Sequence, residues 1–147
     1  DEPLMSFSDL ARLIKKAQNT KGTKVATLVQ KIYDDVLLKD SNIVKVTLNK
    51  KNQALYFSRS LIPFPRDSNK KNLTSWRHLG VYIFKRDFLL KFNKWTQTLL
   101  EKIEKLEQLR ILENEINIDV ILAKSSPIGV DTRKDYMEIK KLMEYKS

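Results

Sequence analysis

Apolar residues recur along the chain with helical and strand periods in turn, and the boundaries between them carry turn chemistry. Residues 8–19, SDLARLIKKAQN, set Leu10, Leu13, Ile14 and Ala17 on one face of a helix, and Ser8 can cap its start. The β-branched stretch TKVATLVQKI, 23–32, predicts a strand. IVKVTLN, 43–49, alternates apolar and polar positions; KKNQ follows as a turn, and ALYFS, 54–58, completes a hairpin. RDSNKKNLTS, 66–75, lacks periodicity and predicts a mobile loop. HLGVYIF, 78–84, predicts a buried strand in which Gly80 permits close backbone approach. RDFLLKFNKW, 86–95, predicts a short helix. LLEKIEKLEQLRILEN, 99–114, predicts one continuous helix with Leu99, Ile103, Leu106, Leu109 and Leu112 as its stripe. INIDVILA, 116–123, predicts a strand. Thr132, with Asp135 three residues on, opens a last helix over 133–145.

Strands and helices therefore alternate around a central hairpin, which predicts an α/β fold with a mixed sheet. At 147 residues the chain is one domain or a large piece of one. An α/β domain usually opens on a strand and a ligand-binding turn. Here a helix comes first, behind the acidic turn Asp1-Glu2-Pro3, so the chain reads as the later part of a domain.

Composition narrows the chemistry. With 41% hydrophobic residues the chain can bury a core, and no apolar run approaches the roughly 20 residues of a membrane span. No signal-like start is visible, so a cytoplasmic location is expected. The absence of cysteine excludes disulfides and thiolate metal sites, and the single histidine, His78, excludes a multi-histidine site. The net charge of +10 invites a nucleic-acid reading. The lysines are scattered, however, and form no basic run interleaved with aromatics, so no nucleic acid is expected as partner; a pocket for small anions explains a positive field equally well. None of the three glycines lies in a phosphate-cradling motif.

Several residues could carry chemistry, each with a plainer alternative. Asp1 precedes the first helix, and Asp131 lies in Gly129-Val130-Asp131-Thr132 between a strand and the last helix. Ligands of open α/β sheets bind beyond the strands' carboxyl ends, and two carboxylates there suit a hard cation such as Mg²⁺. Beside Thr132, Asp131 reads first as a helix cap. Arg59 ends a strand, as a surface charge or a bidentate clamp on a carboxylate or phosphate. A lone histidine such as His78, near Tyr82, is more often structural than catalytic. Glu107 and Gln108 lie on the long helix, and Glu107 is off its leucine stripe.

In combination these segments are specific. DEPL, VKVTLN…ALYFSRSLIPFPRD, RHLGVYIF, LEKIEKLEQLRILEN and IGVDT occur in this order. The chain thereby resembles, over essentially all of its length, the C-terminal part of the CMP-Kdo synthetases, the 3-deoxy-manno-octulosonate cytidylyltransferases. The resemblance implies a Rossmann-like nucleotidyltransferase fold whose N-terminal nucleotide-binding half is absent, residues 1–147 being the sugar-binding and dimerisation portion of one domain. It implies CMP transfer from CTP to the anomeric hydroxyl of Kdo with release of pyrophosphate, for lipopolysaccharide assembly, by a Mg²⁺-dependent homodimer. Asp1 and Asp131 match the metal-binding carboxylates. Arg59, His78, Tyr82, Glu107 and Gln108 match positions lining the Kdo pocket, with Arg59 expected to meet the Kdo carboxylate. Leu99, where the family usually has proline, and Phe84, where tyrosine is common, depart from the pattern. The alternatives are an inactive fragment that keeps the sugar pocket and dimer surface, and a related sugar-acid cytidylyltransferase.

Overall fold

A computed structural model of the chain describes residues 5–66 and 74–124 together with Arg133, Tyr136, Met137, Lys140 and Lys141. Ten elements follow in order: α1 (Phe7–Asn19), β1 (Val25–Ile32), α2 (Asp35–Lys39), β2 (Lys45–Leu48), β3 (Ala54–Ser58), β4 (Ser75–Phe84), α3 (Arg86–Phe92), α4 (Leu99–Glu104), α5 (Gln108–Glu113) and β5 (Asp119–Leu122). The five strands form one sheet in the order β3-β2-β4-β1-β5. Only β1 and β5 run parallel; the other neighbours are antiparallel, so the sheet is mixed as the alternation predicts.

The expected hairpin is present, with Lys45 opposite Ser58 and Val46 opposite Phe57. Its turn is held by the Asn49 side chain, whose Oδ1 accepts from the Lys51 and Gln53 amides at 2.9 Å each. The same turn reaches round to β5: the Ala54 amide donates to the Ile118 carbonyl at 3.0 Å and the Val120 amide to that of Asn52 at 2.8 Å. The two edges of the sheet thus meet at one end.

Each face of the sheet has its own core. On one, Leu13 of α1 packs with Ala26, Leu28 and Leu79. On the other, Val25, Val29, Val46 and Phe57 pack under Phe88, Phe92, Leu106, Leu109 and Ile111 from α3, α5 and the turn before α5. Alternate β1 residues supply both, because successive side chains of a strand point to opposite faces. That is why β1 reads as an almost continuous apolar run.

The predicted helix over 99–114 is two helices. Lys105 adopts a left-handed conformation (φ 55°) and ends α4, and both the Lys105 and Leu106 amides turn back to the Glu101 carbonyl. The break separates the expected stripe: Leu99 and Ile103 are 68% and 67% exposed, whereas Leu106 and Leu109 are buried. No glycine marks this break. Tertiary bonds hold it instead, chiefly the buried ion pair of Glu101 with Arg110, in which Arg110 Nε donates to Glu101 Oε2 at 2.7 Å and Nη2 to Oε1. Arg110 also donates to the Trp95 carbonyl at 3.2 Å and lies over the Phe92 ring. Helix α1 starts one residue earlier than expected, at Phe7, with Ser6 rather than Ser8 as its cap. The five described residues between 133 and 141 are helical, in keeping with the predicted last helix.

Candidate functional site

The site is built on a bulge in β4. Between Thr27 and Val29 of β1 the facing residues jump from Tyr82 to His78, so β4 carries two extra residues there. Gly80 sits at the bulge with φ +67°, a conformation that side-chain-bearing residues rarely adopt. Nothing lies within 4 Å of a Cβ built on it, so the backbone angle, not space, requires the glycine. Bulges re-aim side chains and recur beside active sites. Here the imidazole of His78 and the ring of Tyr82 stand 5.1 Å apart on the same face, flanked by Phe57 and Phe84.

Above this floor lies a cavity of about 680 Å³. Its walls are Leu89, Phe92 and Asn93 from the end of α3, Lys105, Leu106 and Glu107 from the turn between α4 and α5, and Gln108 and Ile111 of α5. The broken helix thus presents its turn, rather than a flat face, to the floor. Four of the residues singled out in the sequence, His78, Tyr82, Glu107 and Gln108, line this one cavity.

Hydrogen bonding fixes the state of the imidazole. Thr27 Oγ1 donates its single hydrogen to the Val81 carbonyl at 2.7 Å, a group that can only accept. At 2.9 Å from Thr27 Oγ1, His78 Nε2 must therefore be the donor. The ring is the Nε2–H tautomer, and Nδ1 carries the lone pair. Burial disfavours the charged form and pushes the His78 pKa down to about 3. Burial, and secondarily the charge of Glu107, raises that of Tyr82. The Tyr82 hydroxyl is buried without a hydrogen-bond partner, a state that costs about 1–3 kcal/mol for an ordinary polar group. A residue with a neutral acceptor and one with an unmet phenolic donor therefore line one cavity.

Arg59 stands elsewhere and is not among the residues that line the cavity. It follows β3, where its amide donates to Glu104 Oε2 at 3.0 Å, its Nε to the Glu104 carbonyl at 2.9 Å and its Nη1 to the Ser41 carbonyl at 3.0 Å. Ser58 Oγ donates to Glu104 Oε1 at 2.6 Å. Beneath it, the fully buried Lys45 donates from Nζ to the carbonyls of Asp40 (2.8 Å), Ile43 (2.6 Å) and Arg59. Desolvation lowers the Lys45 pKa against the pull of Asp40 and Glu104. The strand stops at Ser58-Arg59 because both residues are bonded to the end of α4. The next bend contains the cis Ile62–Pro63 peptide.

Asp1 and Asp131 lie outside the described residues. Among the described residues no group of three or more carboxylate or imidazole side chains could hold a metal ion. No described helix is long and apolar enough to cross a membrane.

Sequence reasoning missed Thr27 and Lys105. A threonine amid the apolar run of a central strand was the available signal for the first, since a fully buried hydroxyl must find a partner. Lys105 carried no signal, because a lysine inside a leucine-striped helix reads as a solvated position.

The family model for cytidylyltransferases matches residues 1–118. The chain belongs to the cytidylyltransferase family. It is 42% identical over 139 residues to the 3-deoxy-manno-octulosonate cytidylyltransferase of Fusobacterium nucleatum, covering 95% of this chain and 56% of that protein. To the enzyme of the same name from Histophilus somni it is 38% identical over 160 aligned positions, covering 99% of this chain and 61% of that one. Among solved structures, a CMP:2-keto-3-deoxy-manno-octonic acid synthetase complexed with CTP superimposes with a TM-score of 0.91 at 32% identity. That match covers all of this chain and 60% of the other. The chain thus spans a little over half the length of these cytidylyltransferases.

Proposed function

We propose that this chain provides the sugar-acid site of a cytidylyltransferase that transfers CMP from CTP to the anomeric hydroxyl of Kdo and releases pyrophosphate, for lipopolysaccharide assembly. The observation that carries the reading is the cavity lined by neutral His78 and by Tyr82, whose buried hydroxyl has no hydrogen-bond partner, beside Glu107 and Gln108. It is supported by the superposition on a synthetase of the same acid. A polyol needs both donors and acceptors at fixed places. His78 Nδ1 and the Glu107 carboxylate accept from sugar hydroxyls, Tyr82 donates, and the Gln108 amide does either.

With a pKa near 3, His78 is too weak a base to remove a proton from the attacking hydroxyl. Its part is to orient the sugar as a neutral acceptor, and the Thr27 hydroxyl keeps it in that tautomer. Phosphoryl transfer of this kind depends chiefly on positioning and charge neutralisation. Bound Mg²⁺ would supply that neutralisation between two anionic substrates, and Asp1 and Asp131 are its proposed ligands. The reading includes a cytoplasmic homodimer, for which exposed Leu99 and Ile103 offer apolar surface on α4.

Calorimetric titration of the chain with Kdo, alongside an assay of pyrophosphate release from CTP and Kdo with Mg²⁺, tests the proposal. Saturable Kdo binding that weakens in His78→Phe and Tyr82→Phe variants is expected. A folded chain with no affinity for Kdo would overturn it.

A further inference from the structure

Thr27 is fully buried in the central strand β1, two residues from Val25 on one side and from Val29 on the other, so all three share one face of the sheet. Val25 and Val29 belong to the core beneath the cavity. A valine at 27 would match the shape of the threonine without taking a hydroxyl out of water. Packing alone does not call for a hydroxyl at this place.

The hydroxyl is used twice. It donates to the Val81 carbonyl at 2.7 Å and accepts from His78 Nε2 at 2.9 Å. Across the strands Thr27 pairs with Tyr82 and Val29 with His78, so Leu79, Gly80 and Val81 stand against the single residue Leu28. Both partners of the hydroxyl thus belong to the bulge, His78 where it opens and Val81 where it closes. The extra residues of a bulge are left out of the ladder, and here a side chain of the neighbouring strand bonds across them. Among the described residues Thr27 is the one hydrogen-bond partner of the imidazole. The rings of Phe57 and Tyr82, 5.0 and 5.1 Å away, restrict its tilt but do not choose between its nitrogens. Thr27 itself is not among the residues that line the cavity.

We infer that Thr27 is the positioning residue of the sugar-acid site. Its hydroxyl clamps the bulge at both ends, so it fixes the tautomer and orientation of His78 and, through the Val81 carbonyl, the spacing of His78 from Tyr82. This rests on the proposed function and deepens it: a residue outside the cavity sets the geometry of two that line it. Without the hydroxyl, no bond decides which imidazole nitrogen keeps the proton, and no side chain ties the two ends of the bulge together.

The test uses the whole chain labelled with ¹⁵N at its one histidine. Long-range ¹⁵N–¹H spectra read which ring nitrogen carries the proton, and calorimetry with Kdo reads the affinity. The native chain should show the Nε2–H tautomer alone. Thr27→Ser keeps the hydroxyl and should retain both that tautomer and native affinity for Kdo. Thr27→Val should show both tautomers and bind Kdo about tenfold more weakly, the size of one misplaced hydrogen bond. An Nδ1–H ring in the native chain would overturn the inference, and that measurement stands even where Thr27→Val does not fold. Native affinity in a folded Thr27→Val, or a loss in Thr27→Ser as large as in Thr27→Val, would overturn it while leaving the site intact. A native chain that binds no Kdo would overturn the site and the inference together.

Discussion

Lowering the pH from 7 to 5 should weaken the fold through His78 by an amount the structure sets. Its pKa falls from the ordinary 6.5 to about 3 because burial disfavours the imidazolium. A base whose folded pKa is depressed binds its proton more readily when unfolded. Its contribution to stability is therefore complete above pH 6.5 and is lost progressively as pH falls from there towards 3. At pH 5 the unfolded chain is 1.5 units below its imidazole pKa and the folded chain is still neutral, so the loss is about 2 kcal/mol at 1.36 kcal/mol per unit. His78 is the one histidine in the chain, so no second imidazole contributes. Urea unfolding at the two pH values, followed by the fluorescence of Trp76 and Trp95, measures the change. Other groups titrate in the same window, so His78→Gln serves as reference; it also loses the bond to Thr27, but that loss is the same at both pH values. The native chain should lose about 2 kcal/mol more than the variant between pH 7 and 5. Equal losses in the two proteins, or an imidazole proton resonance that titrates near pH 6.5 in the folded chain, would refute the buried neutral histidine and its role as a fixed acceptor.

Other predictions test the frame around the site. Arg110→Met strands the Glu101 carboxylate, 3% exposed, and should cost about 3–5 kcal/mol by urea unfolding, much of it recovered in Glu101→Met/Arg110→Met. The native Arg110 holds the Glu101 pKa down, so the pair's contribution is present above the ordinary carboxylate range and fades as pH falls through the depressed value; in Arg110→Met the trend should reverse, stability rising on acidification. Lys45→Met removes the ammonium that donates to three main-chain carbonyls, of which that of Asp40 keeps the Ile43 amide, and should cost about 3 kcal/mol, with Kdo affinity falling in parallel as the Arg59 turn loosens. Gly80→Val places a β-branched residue at φ +67° and should cost about 1–2 kcal/mol while displacing His78 from Tyr82, read as a loss of Kdo binding.

What the chain order determined by itself was the alternation of elements, and with it the α/β class. β1 and the β2–β3 hairpin were legible because their patterns have a period of two and a turn between them, and both follow from local chemistry. Four of the cavity's polar residues were also legible, through motif resemblance and not through any periodic signal. The break of the 99–114 helix was not. Its residues favour a helix locally, and the forces that end it at Lys105 come from Arg110 nine residues beyond Glu101 and from Ser58 and Arg59 more than forty residues before Glu104. Contacts so distant along the chain leave no periodic trace at the break itself. The same holds for the tautomer of His78, which depends on a threonine fifty-one positions earlier. Arg59 shows the difference most directly: its place at a strand end was legible, and only the packing of α4 against that end reveals that its Nε and Nη1 donate to the Glu104 and Ser41 carbonyls. Tertiary structure decided these points because a hydrogen bond is a constraint in space, and sequence separation does not enter its energy once the fold has formed.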